Sequence, residues 1–221
     1  WEKLVALLLE QAAKNGATVK YQKVSLSKEG EDIRVVAGEE VLSFDAVILS
    51  SGAWVKELLE ELDYYVDVRP QKGQLIELEL ETSEDTSKWP VCMLHGEIDI
   101  LPFPDGKILV GATHENTQGF DLTPDEALLD GMYEEACASL PALKDAKRSG
   151  VRVGTRAYTS DFLPFFGKVP ETSNAFVASG LGSSGLTSGV WIGELLAQLS
   201  AKESVDFAVE NYLPKNYIRK T

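Results

Sequence analysis

The chain has 221 residues, of which 44% are hydrophobic and 25% are charged, a composition typical of a globular protein. This length allows one large domain or two small ones. The formal net charge is −14 at pH 7. An acidic chain has little attraction for phosphate backbones or anionic membrane surfaces, so the charge argues against nucleic-acid binding.

The cysteines and the first residues bear on two questions, namely the cellular compartment and whether the chain is part of a longer protein. Cys92 and Cys137 are the only cysteines, and they form no C-x-x-C motif. Lone cysteines of this kind favour buried thiols in a reducing compartment. The chain begins at Trp1 with a helical pattern and no basic leader. We therefore expect a cytoplasmic protein, and we expect this chain to be a piece of a longer one.

The first part of the chain predicts an α/β arrangement. Leu4, Leu7, Leu8 and Ala12 share one helical face, and the pattern ends near Asn15. The pattern then predicts a strand over 17–26, a hairpin over 33–44, a short buried strand over 45–52 and a helix over 53–62.

The middle of the chain predicts a largely antiparallel sheet with one helix. The segment "VRPQKGQLIELELET" (68–82) alternates apolar and polar residues, as a half-exposed strand does. Two further strands are predicted on either side of the turn at Asp105. Thr123 is predicted as the N-cap of the helix, with Pro124 at its first position and Glu126 as the capping-box partner.

The last part contains a glycine-rich loop, "GLGSSG" (180–185), between an apolar strand and a helix. Nearly half of the uncharged stretch 175–193 is Gly or Ser, so it predicts a strand, a loop and a helix and not a membrane span. The letters match the dinucleotide fingerprint of a NAD-dependent dehydrogenase, but the further strands of that fold do not follow. Such a loop can also present backbone N–H groups to an electron-rich or anionic ligand, or it can be a tight packing turn.

Arg156 lies on a predicted strand among Val153, Ala157 and Tyr158. An arginine at a mostly apolar strand position needs an anionic partner if it is buried. A ligand carboxylate held by two hydrogen bonds would serve. The alternative is an arginine at the surface or at a sheet edge.

Four stretches together resemble the FAD-dependent amine oxidoreductases of the D-amino-acid oxidase, glycine oxidase and sarcosine oxidase type. They are "FDAVILSSGAW" (44–54), "VRPQKGQLIEL" (68–78), "LPFPDGKILVGATHE" (101–115), and "GTRAYTSDFLPFFG" (154–167) with "ASGLGSSGLTSG" (178–189). They stand in the family's order and span nearly the whole chain.

The resemblance implies an α/β plus α+β fold. An incomplete FAD-binding Rossmann-like domain would be interrupted by an antiparallel-sheet substrate domain, and the family's N-terminal FAD-binding βαβ unit would be missing. Residues 1–63 would be the second part of the FAD domain. Residues 64–158 would be the substrate domain, and residues 159–221 the last part of the FAD domain.

The resemblance also implies roles for individual residues. Arg156 matches the arginine that grips the substrate carboxylate, and Val24 matches the position whose backbone meets adenine. The positions expected near the flavin are Ser51, Gly52, Trp54, Gly180, Leu181, Gly182, Ser183, Ser184, Gly185, Leu186 and Thr187. No metal is implied.

The activity implied is the FAD-dependent oxidation of an amino acid or secondary amine. A hydride passes from the α-carbon to flavin N5, and the resulting imine hydrolyses. Ala157 replaces a usual proline, and Asp99 and Ser183 stand where glycine oxidases tend to carry tyrosine and arginine. These departures argue against glycine and D-alanine as substrates but leave the resemblance to the family intact. The alternative function is a non-catalytic truncated fragment that keeps the fold but does not bind FAD.

Overall fold

The computed structural model describes residues 2–96 and 98–221, in two compact units. Unit 1 combines the chain up to Val68 with Tyr158–Thr221, and unit 2 is Arg69–Ala157. The sequence placed the domain boundaries after residues 63 and 158. The roles of these regions as FAD and substrate domains remain predictions.

The α-helices are α1 (Glu2–Lys14), α2 (Val55–Glu60), α3 (Glu126–Ser139) and α4 (Gly185–Ser200). The strands are β1 (Ser25–Glu29), β2 (Asp32–Ala37), β3 (Glu40–Leu42), β4 (Val47–Leu49), β5 (Tyr64–Val66), β6 (Arg69–Glu79), β7 (Cys92–Met93), β8 (Asp99–Pro102), β9 (Lys107–Gly111), β10 (Lys147–Tyr158), β11 (Phe165–Lys168), β12 (Ala175–Ser179) and β13 (Ile218–Lys220). Short 3₁₀ turns precede α2 (Gly52–Trp54) and α4 (Gly182–Ser184). Along the described ranges, no helix has both the length and the apolar character that a membrane span requires.

Unit 1 contains three small sheets. The strands β1, β2 and β3 form an antiparallel sheet, and β13 pairs with β5. In the third sheet β12 is central, antiparallel to β11 and parallel to β4. The apolar run of "DAVILS" places Val47 and Leu49 in the core, where they join Leu59, Phe165 and Val177. The parallel strands β4 and β12 are buried side by side. The loops that follow them therefore leave the sheet at the same end.

Unit 2 is a five-stranded sheet in the order β10-β6-β9-β8-β7, with one helix against it. The pairs β6–β9, β9–β8 and β8–β7 are antiparallel. Every second residue of β6 points to the core, where Ile76 and Leu78 are fully buried beside Leu129 and Ala136 of α3. The mixed α/β content with antiparallel sheets agrees with the fold class predicted from the sequence.

The strand predicted over 17–26 is wrong in most of its length. Regular strand structure begins at Ser25, and residues 17–24 are exposed and irregular. Val19 and Tyr21 alternate as strand residues do, and Tyr21 is 93% exposed. A strand forms only where a neighbour accepts its backbone hydrogen bonds, and within the described ranges no strand pairs with this segment. Val24 therefore precedes β1 and does not lie on a strand.

The N-cap of α3 also differs from the prediction. Asp125, not Thr123, caps the helix, because its carboxylate accepts hydrogen bonds from the N–H groups of Ala127 and Leu128 at 3.1 and 3.2 Å. Thr123 belongs to the preceding turn, where its own N–H donates to Asp121. Both residue types make good caps, and only the fold of the preceding turn decides between them.

A hydrogen-bonded pair, made of the buried Tyr217 and the exposed Asp161, stabilises the end of unit 1. The Tyr217 hydroxyl donates to Asp161 Oδ2 at 2.9 Å, and its ring stacks on Phe165 with centroids 5.1 Å apart. Burial, and then the hydrogen bond to Asp161, raises the pKa of Tyr217 to about 12. Burial opposes ionisation of Asp161, but hydrogen bonds from Leu163 N–H, Tyr217 and Thr159 outweigh it and lower the pKa of that carboxyl.

This pair predicts a pH dependence of stability. An unfolded tyrosine titrates near pH 10, so the folded state holds the Tyr217 proton more tightly. The stabilisation is complete below about pH 10 and is lost as the pH rises towards the folded value of about 12. We expect Tyr217→Phe to lower the free energy of unfolding by about 1–2 kcal/mol at pH 7. The variant should also lose less stability than the wild type between pH 9 and about 11.5.

Urea unfolding across this pH range checks the prediction. Tyr21→Phe is the matched control, because Tyr21 is almost fully exposed. Equal pH dependence in Tyr217→Phe and the wild type would contradict it.

Candidate functional site

Two loops meet at one edge of the sheet in unit 1. The strands β4 and β12 are parallel neighbours, so the loops that follow Leu49 and Ser179 leave from the same end. Ser179 Oγ donates to the Gly52 carbonyl at 2.8 Å and joins the two loops. The structure thereby brings Ser51–Trp54 next to the glycine-rich loop 180–185. Ligands of open α/β sheets bind at such carboxyl edges.

Two glycines of the loop are required by the packing of the chain itself. Gly180 and Gly182 have φ of +76° and +53°, which side-chain-bearing residues rarely adopt. A Cβ at Gly182 would lie 2.5 Å from the Tyr158 ring, and one at Gly180 would lie 2.8 Å from Thr159 Cγ2. A tight packing turn is therefore enough to explain why glycine stands at these two positions.

Gly185 differs from them. It has an ordinary helical φ of −55°, and a Cβ there would meet only Leu181 among the described residues, at an ordinary 3.5 Å. Gly185 is the first residue of α4, and the Ser184 side chain makes no capping hydrogen bond. An uncapped helix N-terminus presents backbone N–H groups and a partial positive charge. The side chains near this helix start are exposed, namely those of Ser183, Ser184, Leu186 and Thr187.

The other loop contains an unsatisfied polar atom. Ser51 Oγ is buried and has no hydrogen-bond partner among the residues that the structure describes. Native proteins rarely leave such an atom unpaired, so it indicates a ligand or an ordered water. Next to it, Gly52 has φ of +60°, and a Cβ added there would meet no described residue within 4 Å apart from its chain neighbours. The unpaired hydroxyl, the open glycine and the uncapped helix start fit the polar edge of a flavin.

Val24 is not part of this arrangement. It belongs to the exposed segment before β1, in the antiparallel sheet, and not to the edge formed by β4 and β12. Trp54, in contrast, lies in the loop after β4 and is 45% exposed. The adenine contact of Val24 and the flavin contact of Trp54 both remain predictions.

Arg156 lies in unit 2, on β10, and is half-buried. Its Nη1 donates to the Thr113 carbonyl at 3.0 Å. A Cβ at Gly73 would lie 2.7 Å from Arg156 Cζ and 2.8 Å from Nη2, so the guanidinium occupies the space that a Gly73 side chain would need. The structure thus joins Arg156 to two of the sequence motifs, which come from β6 and from the segment after β9.

Sequence reasoning gave no role to a buried polar network around these motifs. Its members are Lys72, Gln74, Thr113 and Glu115. Glu115 Oε1 accepts hydrogen bonds from Thr113 Oγ1 at 2.6 Å and from Gln74 Nε2 at 2.7 Å. Lys72 Nζ donates to the Thr123 carbonyl and lies 3.8 Å from Glu115 Oε2. The signal was present in the sequence, because positions 72 and 74 are in phase with the core-facing Ile76.

Residues 1–199 match the model of the DAO family, the FAD-dependent oxidoreductases. The chain belongs to this family. The oxidoreductase YurR of Bacillus subtilis, itself uncharacterised, is 39% identical over 211 residues, which are 94% of this chain and 56% of YurR. A glycine oxidase of Pseudomonas putida is 32% identical over 161 residues, which are 73% of this chain and 43% of that enzyme.

A solved oxidase structure has the same fold. The crystal structure of iminodiacetate oxidase from Chelativorans sp. BNC1 matches with a TM-score of 0.91 and 33% identity, over 96% of this chain and 57% of that one. The chain thus spans about half the length of these relatives. The match to the DAO family confirms the resemblance predicted from the four motifs. It also confirms FAD as the predicted cofactor, because the family is FAD-dependent.

Proposed function

We propose that this chain supplies the flavin-ring end of the cofactor site and a carboxylate-binding arginine to an FAD-dependent amine or amino-acid oxidoreductase. The observation that carries the proposal is the edge formed by β4 and β12. There the unpaired hydroxyl of Ser51 and the uncapped start of α4 lie in adjoining loops. Membership of the DAO family supports the same assignment.

The residues of unit 1 would bind and polarise the cofactor. The N–H groups in the first turn of α4 would donate to the carbonyl edge of the flavin ring, and the helix dipole would favour the negative charge of the reduced ring. Ser51 Oγ would gain the partner that it lacks among the described residues. Bound FAD would supply a hydride acceptor for the substrate α-carbon, so that the amine becomes an imine that water hydrolyses.

Arg156 would bind and orient the substrate. Its planar guanidinium can hold a carboxylate with two parallel hydrogen bonds, which fixes both the position and the rotation of the substrate. We therefore propose a small amino acid, or a secondary amine that carries a carboxylate, as the substrate class. Glycine oxidase and iminodiacetate oxidase, two of the relatives, are named for compounds of this kind.

The test is retention of flavin by the purified chain. We expect visible flavin absorption to accompany the protein through gel filtration after FAD is added. Gly185→Ala should keep the fold, because a methyl group there meets only Leu181 among the described residues, at an ordinary distance. It should weaken FAD binding about tenfold, equivalent to about 1.4 kcal/mol, by preventing close approach of the ring.

Gly193→Ala is the matched control, since it lies in the same helix and its added methyl group would meet no described residue within 4 Å. It should bind FAD as the wild type does. Wild-type chain that retains no flavin would favour the alternative, a non-catalytic fragment. Equal FAD affinity in Gly185→Ala would remove the start of α4 from the cofactor site.

A further inference from the structure

The position of the Arg156 guanidinium is set by a glycine. A Cβ added at Gly73 would lie within 3 Å of Nη1, Cζ and Nη2 alike, so the guanidinium packs directly against the bare Gly73 backbone. The positive-φ glycines of the described residues do not include Gly73. The backbone conformation therefore accepts a side chain at this position, and the three atoms nearest to an added Cβ all belong to the Arg156 guanidinium.

The Thr113 carbonyl is the second group that holds the guanidinium, because it accepts a hydrogen bond from Arg156 Nη1 at 3.0 Å. Thr113 is fixed on both sides by Gln74. Gln74 N–H donates to Thr113 Oγ1 at 2.9 Å, and Thr113 N–H donates to the Gln74 carbonyl at 3.1 Å. Gln74 itself is fully buried. The carbonyl therefore points at Arg156 from a rigid support.

The ion pair of Glu115 and Lys72 helps to hold Thr113 in place. Glu115 accepts from Thr113 Oγ1 through one carboxylate oxygen, and its other oxygen lies 3.8 Å from Lys72 Nζ. Both side chains are at least nine-tenths buried. A buried pair whose members are held by further hydrogen bonds resists rearrangement, because moving either charge leaves the other uncompensated.

We infer that Gly73 and Thr113 form a seat for the guanidinium, and that Gly73 is a positioning residue for the substrate carboxylate. This rests on the proposed function of Arg156. A planar fork accepts a carboxylate in one orientation. The depth of the guanidinium in its seat then decides where the rest of the substrate lies, and a displacement of about 1 Å is enough to spoil that geometry.

The test uses Gly73→Ala, with Gly154→Ala as the matched control. Both glycines are in unit 2, and an added methyl at Gly154, two residues before Arg156, meets no described residue within 4 Å. The atoms that Gly73→Ala would displace are the end of a flexible side chain, so we expect the variant to fold. Thr113→Val keeps the shape of the side chain, removes the bonds of Oγ1 and provides a second variant of the seat.

The first measurement is the Nε–H signal of Arg156 in ¹⁵N-arginine-labelled protein, assigned with Arg156→Leu. Gly73→Ala and Thr113→Val should both shift the signal, and Gly154→Ala should leave it in place. The second measurement is a titration with acetate, with acetamide as the uncharged probe. Gly73→Ala should weaken acetate binding about tenfold, since it misplaces the donors, and acetamide should not distinguish the variants.

An unchanged Arg156 signal and unchanged acetate affinity in a folded Gly73→Ala protein would overturn the inference. The failure of the proposed function has a different signature. If acetate fails to perturb Arg156 even in the wild type, while Gly73→Ala still shifts the signal, then the seat exists but serves no carboxylate. In that case the positioning role falls together with the role of Arg156.

Discussion

Replacing Arg156 with leucine is expected to raise KM for an amino-acid substrate about 150-fold, equivalent to about 3 kcal/mol. The guanidinium is half-buried in unit 2 and donates a hydrogen bond to the Thr113 carbonyl. A carboxylate that it binds would lose two charge-assisted hydrogen bonds at once. Steady-state kinetics of the FAD-loaded protein, with an amino acid and with the corresponding amine that lacks the carboxylate, measure this loss.

The control for charge alone is Arg156→Lys. Lysine keeps the positive charge but not the planar fork, so its KM should lie between those of the wild type and the leucine variant. The amine without a carboxylate should react similarly with all three proteins. A KM for the amino acid that is unchanged in Arg156→Leu would remove Arg156 from the substrate site.

Replacing Gly182 with valine is expected to destabilise unit 1 by about 3 kcal/mol and to abolish flavin retention. The φ of Gly182 is +53°, which a β-branched residue tolerates poorly. An added Cβ would lie 2.5 Å from the Tyr158 ring, so the ring must move as well. Urea unfolding and absorption spectra after gel filtration measure both effects.

A double variant separates packing from ligand approach. In Gly182→Val with Tyr158→Ala, the overlap with the ring is gone, although the backbone strain remains. Recovery of flavin binding in the double variant would show that Gly182 serves the packing of Tyr158. Continued loss of flavin from a folded double variant would show that the loop itself must approach the cofactor. Unchanged stability of Gly182→Val would contradict the prediction.

Local elements and family membership could be predicted from the amino-acid sequence. The hairpin over 33–44, the helix around 53–62 and the helix after the glycine-rich loop follow from periodicity and from turn residues, which act over a few neighbours. The four motifs identified the family, because each is a short run of residue types that can be recognised without coordinates. Periodicity and turn residues report only on contacts between residues that are close in the chain.

Which of these residues meet in space depends on the tertiary fold. Residues 17–24 have the alternation of a strand, yet they are exposed, because a strand also needs a partner for its backbone. Thr123 and Asp125 are equally good caps by residue type, and the turn before α3 selects Asp125.

The candidate site shows the same division. Its glycines are indistinguishable in the letters "GLGSSG", but a side chain at Gly182 would overlap Tyr158, whereas one at Gly185 would meet Leu181 at an ordinary distance. Gly73 and Arg156 are far apart in the sequence, and no local pattern relates them. Their contact exists because β6 and β10 are adjacent in one sheet. Pairing between distant strands is the step that local chemistry cannot determine.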